Sequence, residues 1–149
     1  MNSELKTALF AGSFDPFTKG HQSVVRRALT FVDQVIIGIG INIDKKSAFT
    51  LQDRKAMIEN AFADEPRVKV MEYDGLTTDF AQQVGATILL RGVRTCKDFE
   101  YEKEIAEVNR QLTGIETVIL FAEDKFTNIS STIVRELIHY GKDVTEFLP

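Results

Sequence analysis

Short apolar segments alternate with longer amphipathic segments along this sequence, and the alternation limits the folds open to the chain. The short segments have the length and apolar content of buried strands, and they cover residues 7–10, 35–41, 68–71, 87–90 and 117–121. Between them, apolar residues recur every three or four positions, as on one face of a helix. Repeated strand–helix alternation predicts a single-domain, doubly wound sheet of five parallel strands with a Rossmann-like α/β fold.

The helical segments carry signals of their own. Residues 21–32 and 78–84 have helical periodicity, and Thr50 is placed to cap a helix through residue 62, with Asp53 three positions later. Ser130 is placed to cap a last helix. One further helix is marked by a face of four apolar residues, which are Tyr101, Ile105, Val108 and Leu112.

Composition excludes several classes of function. The 149 residues carry 18 basic and 22 acidic side chains, a net charge of −4, which argues against broad binding to nucleic acid. The single cysteine, Cys96, cannot form an internal disulfide, and no cluster of Cys and His has zinc-ligand spacing, so we expect no protein-held metal. No apolar segment is long enough to span a membrane, and the first ten residues lack the pattern of a signal peptide. We therefore expect a cytoplasmic protein.

Doubly wound sheets bind ligands at the carboxyl ends of their strands, so we expect ligand-binding and catalytic residues in the loops there. The loop after the first strand, residues 11–20, contains Gly12 and Gly20, which would let backbone approach a ligand closely. His21 follows at the start of a helix, where free N–H groups and the helix dipole favour an anion. The alternative is an ordinary connection in which the histidine only caps the helix.

Three further loops carry groups that suit phosphate. Lys45 and Lys46 follow the second strand, and Arg91 and Arg94 flank a glycine after the fourth, where guanidinium groups can bind phosphate with paired donors. Residues 126–132 follow the fifth strand and offer hydroxyls and open amides before the last helix. Taken singly, these could be solvated surface lysines, a salt-bridged turn and a simple helix cap.

Taken together in order, the motifs are much more specific. They are G-S-F-D-P and T-K-G-H in residues 12–21, K-K-x-x-F-T-L in 45–51, R-G-V-R in 91–94, D-F-E-Y-E in 98–102 and I-S-S-T-x-V-R in 129–135. This set resembles the bacterial phosphopantetheine adenylyltransferase family, within the nucleotidyltransferases that carry a T/H-x-G-H motif. The closing D-V-T-E-F-L-P of residues 143–149 also resembles that family.

The resemblance implies a role for each matching residue. It assigns transition-state stabilisation to His21, with Lys45 and Arg94 as further catalytic cations. Phosphopantetheine would contact Ser13, Lys45, Thr77 and Arg91. ATP would contact Ser13, Phe14, His21, Gly92, Val93, Arg94, Glu102, Phe126, Thr127, Asn128, Ile129, Ser130, Ser131 and Thr132.

This sequence departs from the family pattern at four of these positions. Ser13 replaces a common Thr, and Thr77 stands where the family often has an apolar residue. Phe126 replaces a Trp or Tyr, and Asn128 replaces an aromatic residue. Many relatives also continue past the position of Pro149 with a terminal helix. We therefore expect the packing of the nucleotide loop and the assembly contacts to differ from those of many relatives.

The resemblance also implies a reaction. A 4′-phosphate oxygen of phosphopantetheine would attack the α-phosphorus of ATP in line, giving dephospho-coenzyme A and pyrophosphate reversibly. Mg²⁺ would be held mainly through the ATP phosphates, the assembly would be a homohexamer, and coenzyme A would be a feedback ligand. Two alternatives stay open: adenylyl or cytidylyl transfer to another small phosphorylated acceptor, such as nicotinamide or flavin mononucleotide, and a non-catalytic nucleotide-binding regulator.

Overall fold

A computed structural model describes residues 4–149; Met1 to Ser3, the start of the segment that lacks a signal-peptide pattern, lie outside the described residues. Five strands form one parallel sheet in the order β3-β2-β1-β4-β5, which confirms the predicted doubly wound architecture. The strands are β1 (Thr7–Gly12), β2 (Gln34–Gly40), β3 (Val68–Tyr73), β4 (Ile88–Val93) and β5 (Glu116–Phe121). The helices are α1 (Lys19–Ala28), α2 (Leu51–Ala61), α3 (Thr77–Gln83), α4 (Cys96–Thr113) and α5 (Ser131–His139).

The strand order reverses beside the central strand β1. From β1 the chain runs outward through β2 to β3, and it then returns to the other side of β1 to form β4 and β5. The loops after β1 and β4 therefore separate in opposite directions at the carboxyl edge of the sheet, which opens a crevice there.

Side chains that alternate along the strands build an apolar core on each face of the sheet. Phe10, Val35 and Ile37 pack on one face with buried residues of α1 and α2. Leu9 and Ile36 pack on the other face, with Phe80 of α3 among their partners. The sheet is therefore covered on both faces by helices, as the continuous apolar strands predict.

The structure corrects several predicted boundaries. Strand β1 continues to Gly12, and α1 begins at Lys19 and ends at Ala28 rather than covering residues 21–32, so the first loop is shorter than residues 11–20. The earlier start has a local cause, because the Thr18 side chain accepts from the His21 backbone while the His21 side chain accepts from the Thr18 backbone. Gly20 consequently lies within the helix and does not shape a turn.

The predicted caps of α2 and α5 are confirmed. Thr50 accepts a hydrogen bond from the Asp53 amide, and Ser130 accepts one from the Ile133 amide. Helix α4 has a similar cap at Thr95, which the sequence reasoning missed, and it is 18 residues long. Across residues 4–149, no helix combines the length and hydrophobicity required to cross a bilayer.

Candidate active site

Three loops and the start of α1 surround a cavity of about 330 Å³ at the carboxyl edge of the sheet. The end of β1, the end of β4 and the segment before α5 each form part of its wall. Among its lining residues are His21, Arg91, Arg94, Phe126 and Ser130. The sequence places these residues far apart, and the switch in strand order brings them together.

His21 is held in one orientation by the start of its own helix. Its Nδ1 accepts a hydrogen bond from the Thr18 backbone N–H at 3.0 Å. The ring stacks on Phe17 and meets the edge of Phe14, with centroid separations of 5.2 Å in both pairs. Since Nδ1 is an acceptor, the neutral imidazole carries its proton on Nε2.

The charge state of His21 follows from these surroundings. Burial, followed by the positive charges of Arg91 and Arg94, lowers the pKa of the imidazole from 6.5 to about 4. His21 is therefore neutral at physiological pH. It can donate one hydrogen bond to an anionic oxygen without itself changing protonation state.

Arg91 lines the same cavity as His21 and is held by three hydrogen bonds. Its Nε donates to Glu102 Oε2 at 2.8 Å, its Nη2 donates to Oε1 at 2.7 Å, and its Nη1 donates to the carbonyl of Ala11. Arg94 forms an ion pair, in which its Nη2 lies 3.4 Å from Asp98 Oδ2. The first cavity therefore has two guanidinium groups in its wall, one held by three hydrogen bonds and the other by an ion pair.

Phe14 and Gly12 shape the loop after β1. Phe14 has a φ of 48°, the left-handed region that is uncommon for a residue other than glycine. A Cβ on Gly12 would lie 3.2 Å from the Phe14 ring, so this glycine makes room for the aromatic side chain. The Ser131 hydroxyl donates to the carbonyl of Pro16 at 2.7 Å, which fastens the loop to the start of α5.

A second cavity, of about 410 Å³, extends over the other side of β1 and β4. Ala11, Gly12 and Arg91 line both cavities. Its remaining lining is mostly apolar and comes from β1, β4, α4 and the start of α3, including Leu9, Leu76, Leu89, Tyr101, Ile105, Val108 and Leu112. The two cavities are therefore neighbours, one with a charged wall and one with a mostly apolar wall, and Arg91 lies in the wall of both.

Most of the predicted site residues converge on the first cavity. They are Ser13, Phe14, His21, Arg91, Gly92, Val93, Arg94, Phe126, Ile129, Ser130, Ser131 and Thr132. Thr77 and Glu102 line the second cavity instead. Glu102 is buried, and both of its carboxylate oxygens accept from Arg91, whereas the Thr77 hydroxyl lies 2.8 Å from the Tyr73 hydroxyl.

Three predicted residues lie outside the lining of both cavities. Lys45 and Asn128 are exposed, and Thr127 is half-buried with its hydroxyl donating to the carbonyl of Glu123. Lys45 belongs to the loop after β2, and its amide donates to the carbonyl of Asn42 within that loop. The structure therefore does not bring these three side chains to the cavity walls.

Sequence reasoning gave no role to three residues that build the site. Asp15 and Arg54 are buried charged residues beside the first loop, and Arg135 donates from Nη1 to the carbonyl of Asp15 at 2.8 Å. Asp15 and Arg135 stand within the motifs G-S-F-D-P and I-S-S-T-x-V-R, and this position was the signal that could have identified them. Arg54 lies in an ordinary helical segment, where nothing in the pattern distinguishes it from an exposed arginine.

The wall of the first cavity holds cations and hydroxyls but no carboxylate among residues 4–149. In the same residues, no group of three or more His, Cys, Asp or Glu side chains is placed to hold a metal ion. The chemistry that the wall supports is therefore the binding of phosphate oxygens.

Comparison with known proteins agrees with this chemistry. Residues 9–137 match the family model described as cytidylyltransferase-like. The phosphopantetheine adenylyltransferase of Phocaeicola vulgatus is 61% identical over 145 residues, which cover 97% of this chain and 96% of the relative. The protein of the same name from Bacteroides thetaiotaomicron is 59% identical, also over 145 residues, with 97% of this chain and 96% of the relative covered.

A solved structure shares the fold at much lower identity. It is a bifunctional NMN adenylyltransferase/ADP ribose pyrophosphatase from Francisella tularensis, complexed with AMP and a Mn ion. It superposes with a TM-score of 0.70 at 17% identity, and the match covers 97% of this chain but only 44% of that chain. At this identity the similarity supports the fold alone.

Proposed function

The chain belongs to the phosphopantetheine adenylyltransferase family of cytidylyltransferase-like nucleotidyltransferases, and from this we propose that its crevice holds ATP and phosphopantetheine side by side. An oxygen of the 4′-phosphate attacks the α-phosphorus of ATP. The bond from that phosphorus to the bridging oxygen of the β-phosphate breaks, and pyrophosphate leaves. The other product is dephospho-coenzyme A.

ATP occupies the first cavity in this proposal. His21 and Arg94 face its phosphates, the backbone of Gly92 and Val93 lines its path, and residues 126–132 cover the nucleotide. The supporting observation is that this cavity joins two guanidinium groups with the open start of helix α5, where Ser130 and Ser131 stand. Both features favour the binding of polyphosphate.

Phosphopantetheine occupies the second cavity, with its phosphate at Arg91. The arm of this substrate is largely apolar with a few amide groups, and it matches a cavity lined by Leu9, Leu89 and Ile105. Because Arg91 lines both cavities, a phosphate bound to it faces the nucleotide. Thr77 contacts the arm, and Lys45 adds a cation from the loop after β2.

Catalysis in this arrangement relies on positioning and on electrostatic stabilisation. His21 donates from Nε2 to an α-phosphate oxygen, and Arg91, Arg94 and Lys45 offset the repulsion between two anionic reactants. A phosphate monoester is already ionised near neutral pH, so no general base is required. Because His21 is neutral near neutral pH, it fits the role of a hydrogen-bond donor rather than that of an acid or base.

The residues present do not form a metal centre, because the cavity wall has no carboxylate among residues 4–149. Mg²⁺ therefore enters with the nucleotide in our proposal, held by phosphate oxygens and water. It neutralises phosphate charge when bound, and the roles given to the side chains above do not depend on its position.

The two neighbouring cavities that share Arg91 carry this proposal, and a steady-state assay tests it. Pyrophosphate and dephospho-coenzyme A should form in equal amounts from ATP and phosphopantetheine with Mg²⁺. Nicotinamide mononucleotide, flavin mononucleotide and CTP serve as comparison substrates. The choice of substrates would be contradicted if ATP with either mononucleotide, or CTP with phosphopantetheine, were turned over faster than ATP with phosphopantetheine. ATP binding without turnover of any acceptor would indicate a regulator.

We further propose that the chain is a single-domain cytoplasmic enzyme that works as a homohexamer. Tyr101, Val108 and Leu112 on α4 line the second cavity, and they are also 61%, 53% and 67% exposed, so a second copy of the chain that packed there would cover them. An apolar stripe of this kind on an exposed helix marks an interface. Light scattering after gel filtration should give six times 16.8 kDa, and a monomer would contradict the proposal.

Coenzyme A is the expected feedback ligand because it contains the same pantetheine arm. It should compete with phosphopantetheine for the second cavity and raise the KM for that substrate. Inhibition that phosphopantetheine cannot relieve would contradict competition at this cavity.

A further inference from the structure

Two buried charged side chains, Asp15 and Arg54, connect the loop after β1 with the loop after β2. Asp15 accepts hydrogen bonds from the backbone amides of Ala48 and Phe49, both at 2.8 Å. Arg54 donates from Nη1 to the carbonyl of Ser13 at 2.8 Å and from Nε to the carbonyl of Phe49 at 3.2 Å. We call these two residues and their four hydrogen bonds the clamp.

The clamp joins two segments that contact different substrates in the proposed function. Ser13 lines the first cavity, and Phe49 ends the loop that carries Lys45. That loop is exposed from Asn42 to Lys46, and its internal hydrogen bonds run from Lys45 and Asp44 to Asn42. Such bonds shape the loop but do not fix its position relative to the nucleotide cavity.

We propose that Arg54 is a positioning residue, which, with Asp15, sets the separation between Lys45 and the nucleotide cavity. This inference rests on the proposed function. Arg54 and Asp15 are only 6% and 4% exposed, so each has given up hydration for bonds to neutral backbone. A planar guanidinium can reach two carbonyls on two loops at once, whereas a lysine offers a single point charge. The arrangement is therefore specific to arginine.

A double-mutant cycle on the KM for phosphopantetheine tests the proposal. Its members are the wild type, Arg54→Met, Lys45→Met and the double variant, with Lys46→Met as the matched lysine control. Each single change in the cycle should raise this KM about tenfold and leave the KM for ATP within about twofold. The double variant should resemble Lys45→Met alone, because Arg54 acts through Lys45.

The cycle separates this inference from the proposed function. A wild type that releases no pyrophosphate with phosphopantetheine would contradict the proposed function itself. If the wild type is active, the positioning role would be overturned by a double variant whose increase in KM for phosphopantetheine equals the product of the two single increases. An unchanged KM for phosphopantetheine in Arg54→Met would overturn it as well.

Circular dichroism measures whether each variant is folded at the assay temperature. If Arg54→Met does not fold, Arg54→Lys takes its place in the cycle, because it keeps the charge but reaches only one loop. The same coupling with Lys45 is then expected at a smaller fold-change. Its absence overturns the proposal.

Discussion

Arg91 and Glu102 are joined by two parallel hydrogen bonds of 2.8 and 2.7 Å between the end of β4 and the helix α4. The pair fixes the guanidinium that lines both cavities. It also explains why a glutamate on an exposed helix is buried, since the carboxylate faces the sheet rather than solvent. Glu102 thus orients the guanidinium to which we assign phosphate binding.

Replacing Glu102 with Gln should destabilise the fold by about 1–3 kcal/mol, because the amide can accept from Arg91 at only one atom and presents a donor at the other. Urea unfolding measures the change. Glu100→Gln is the matched control on an exposed position of α4. Equal stability of the two variants would show that the pair contributes little.

Replacing His21 with Ala should lower kcat by a factor on the order of 10²–10³, the scale of one lost transition-state donor. The KM values should change much less, because the bond is strongest in the transition state. His139→Ala removes an exposed histidine from α5 and should leave turnover unchanged. Unchanged kcat in His21→Ala would remove the catalytic role given to this residue.

His21 should make stability depend on pH in a defined window. Its pKa is about 4 in the fold and 6.5 in the unfolded chain, so between these values the unfolded state binds more protons. Stability is therefore full above pH 6.5 and is lost as the pH falls towards 4. Relative to His21→Gln, the wild type should lose on the order of 1–2 kcal/mol between pH 7.5 and 5 in urea unfolding. A constant difference would contradict the lowered pKa.

Replacing Gly92 with Ala should disturb the contact between β4 and α1. The added Cβ would lie 2.9 Å from Cγ2 of Val24, which is buried one turn after His21. We expect a loss of about 1–3 kcal/mol and a lower kcat, because α1 must shift. In a Val24→Ala background the missing valine methyl groups leave space for the new Cβ, so Gly92→Ala should lower the free energy of unfolding by less than it does in the wild type. Additive losses would exclude this clash as the cause.

Replacing Thr117 with Val should stabilise the fold by about 1 kcal/mol. Its Oγ1 is buried and has no hydrogen-bond partner in the part of the chain from residue 4 onward, and valine has nearly the same shape. Thr113→Val is the contrasting control, since its hydroxyl bonds to Asn109 and Ile115 and its loss should destabilise. A less stable Thr117→Val would show that the hydroxyl has a partner in solution, such as water.

The fold was predictable because apolar periodicity records which side of each element is buried. The five strands and the caps at Thr50 and Ser130 follow from short local patterns, and the parallel arrangement follows from the repeated alternation of strands and helices along the chain. Element ends were less predictable, as at α1, where the hydrogen bonds between Thr18 and His21 start the helix early.

The site was predictable where it depends on strand ends and not where it depends on side-chain partners. His21, Arg91 and Arg94 converge because parallel strands end at one edge. Glu102 pairs with Arg91, which lies 11 residues earlier, and Arg54 bonds to Ser13, which lies 41 residues earlier; no local pattern encodes such pairs. The roles given to Lys45, Thr127 and Asn128 stay predictions, since their positions depend on exposed loops.

The wall shared by the two cavities has a consequence for inhibitor design. Ala11, Gly12 and Arg91 belong to both, so under the proposed function a single compound would need only a short linker past Arg91 to place an adenosine part in one cavity and a pantetheine-like part in the other. Once one part is bound, the other is held at high effective concentration beside its own cavity. A compound that joins the two parts through a short linker with one anionic group for Arg91 should therefore bind far more tightly than either part alone.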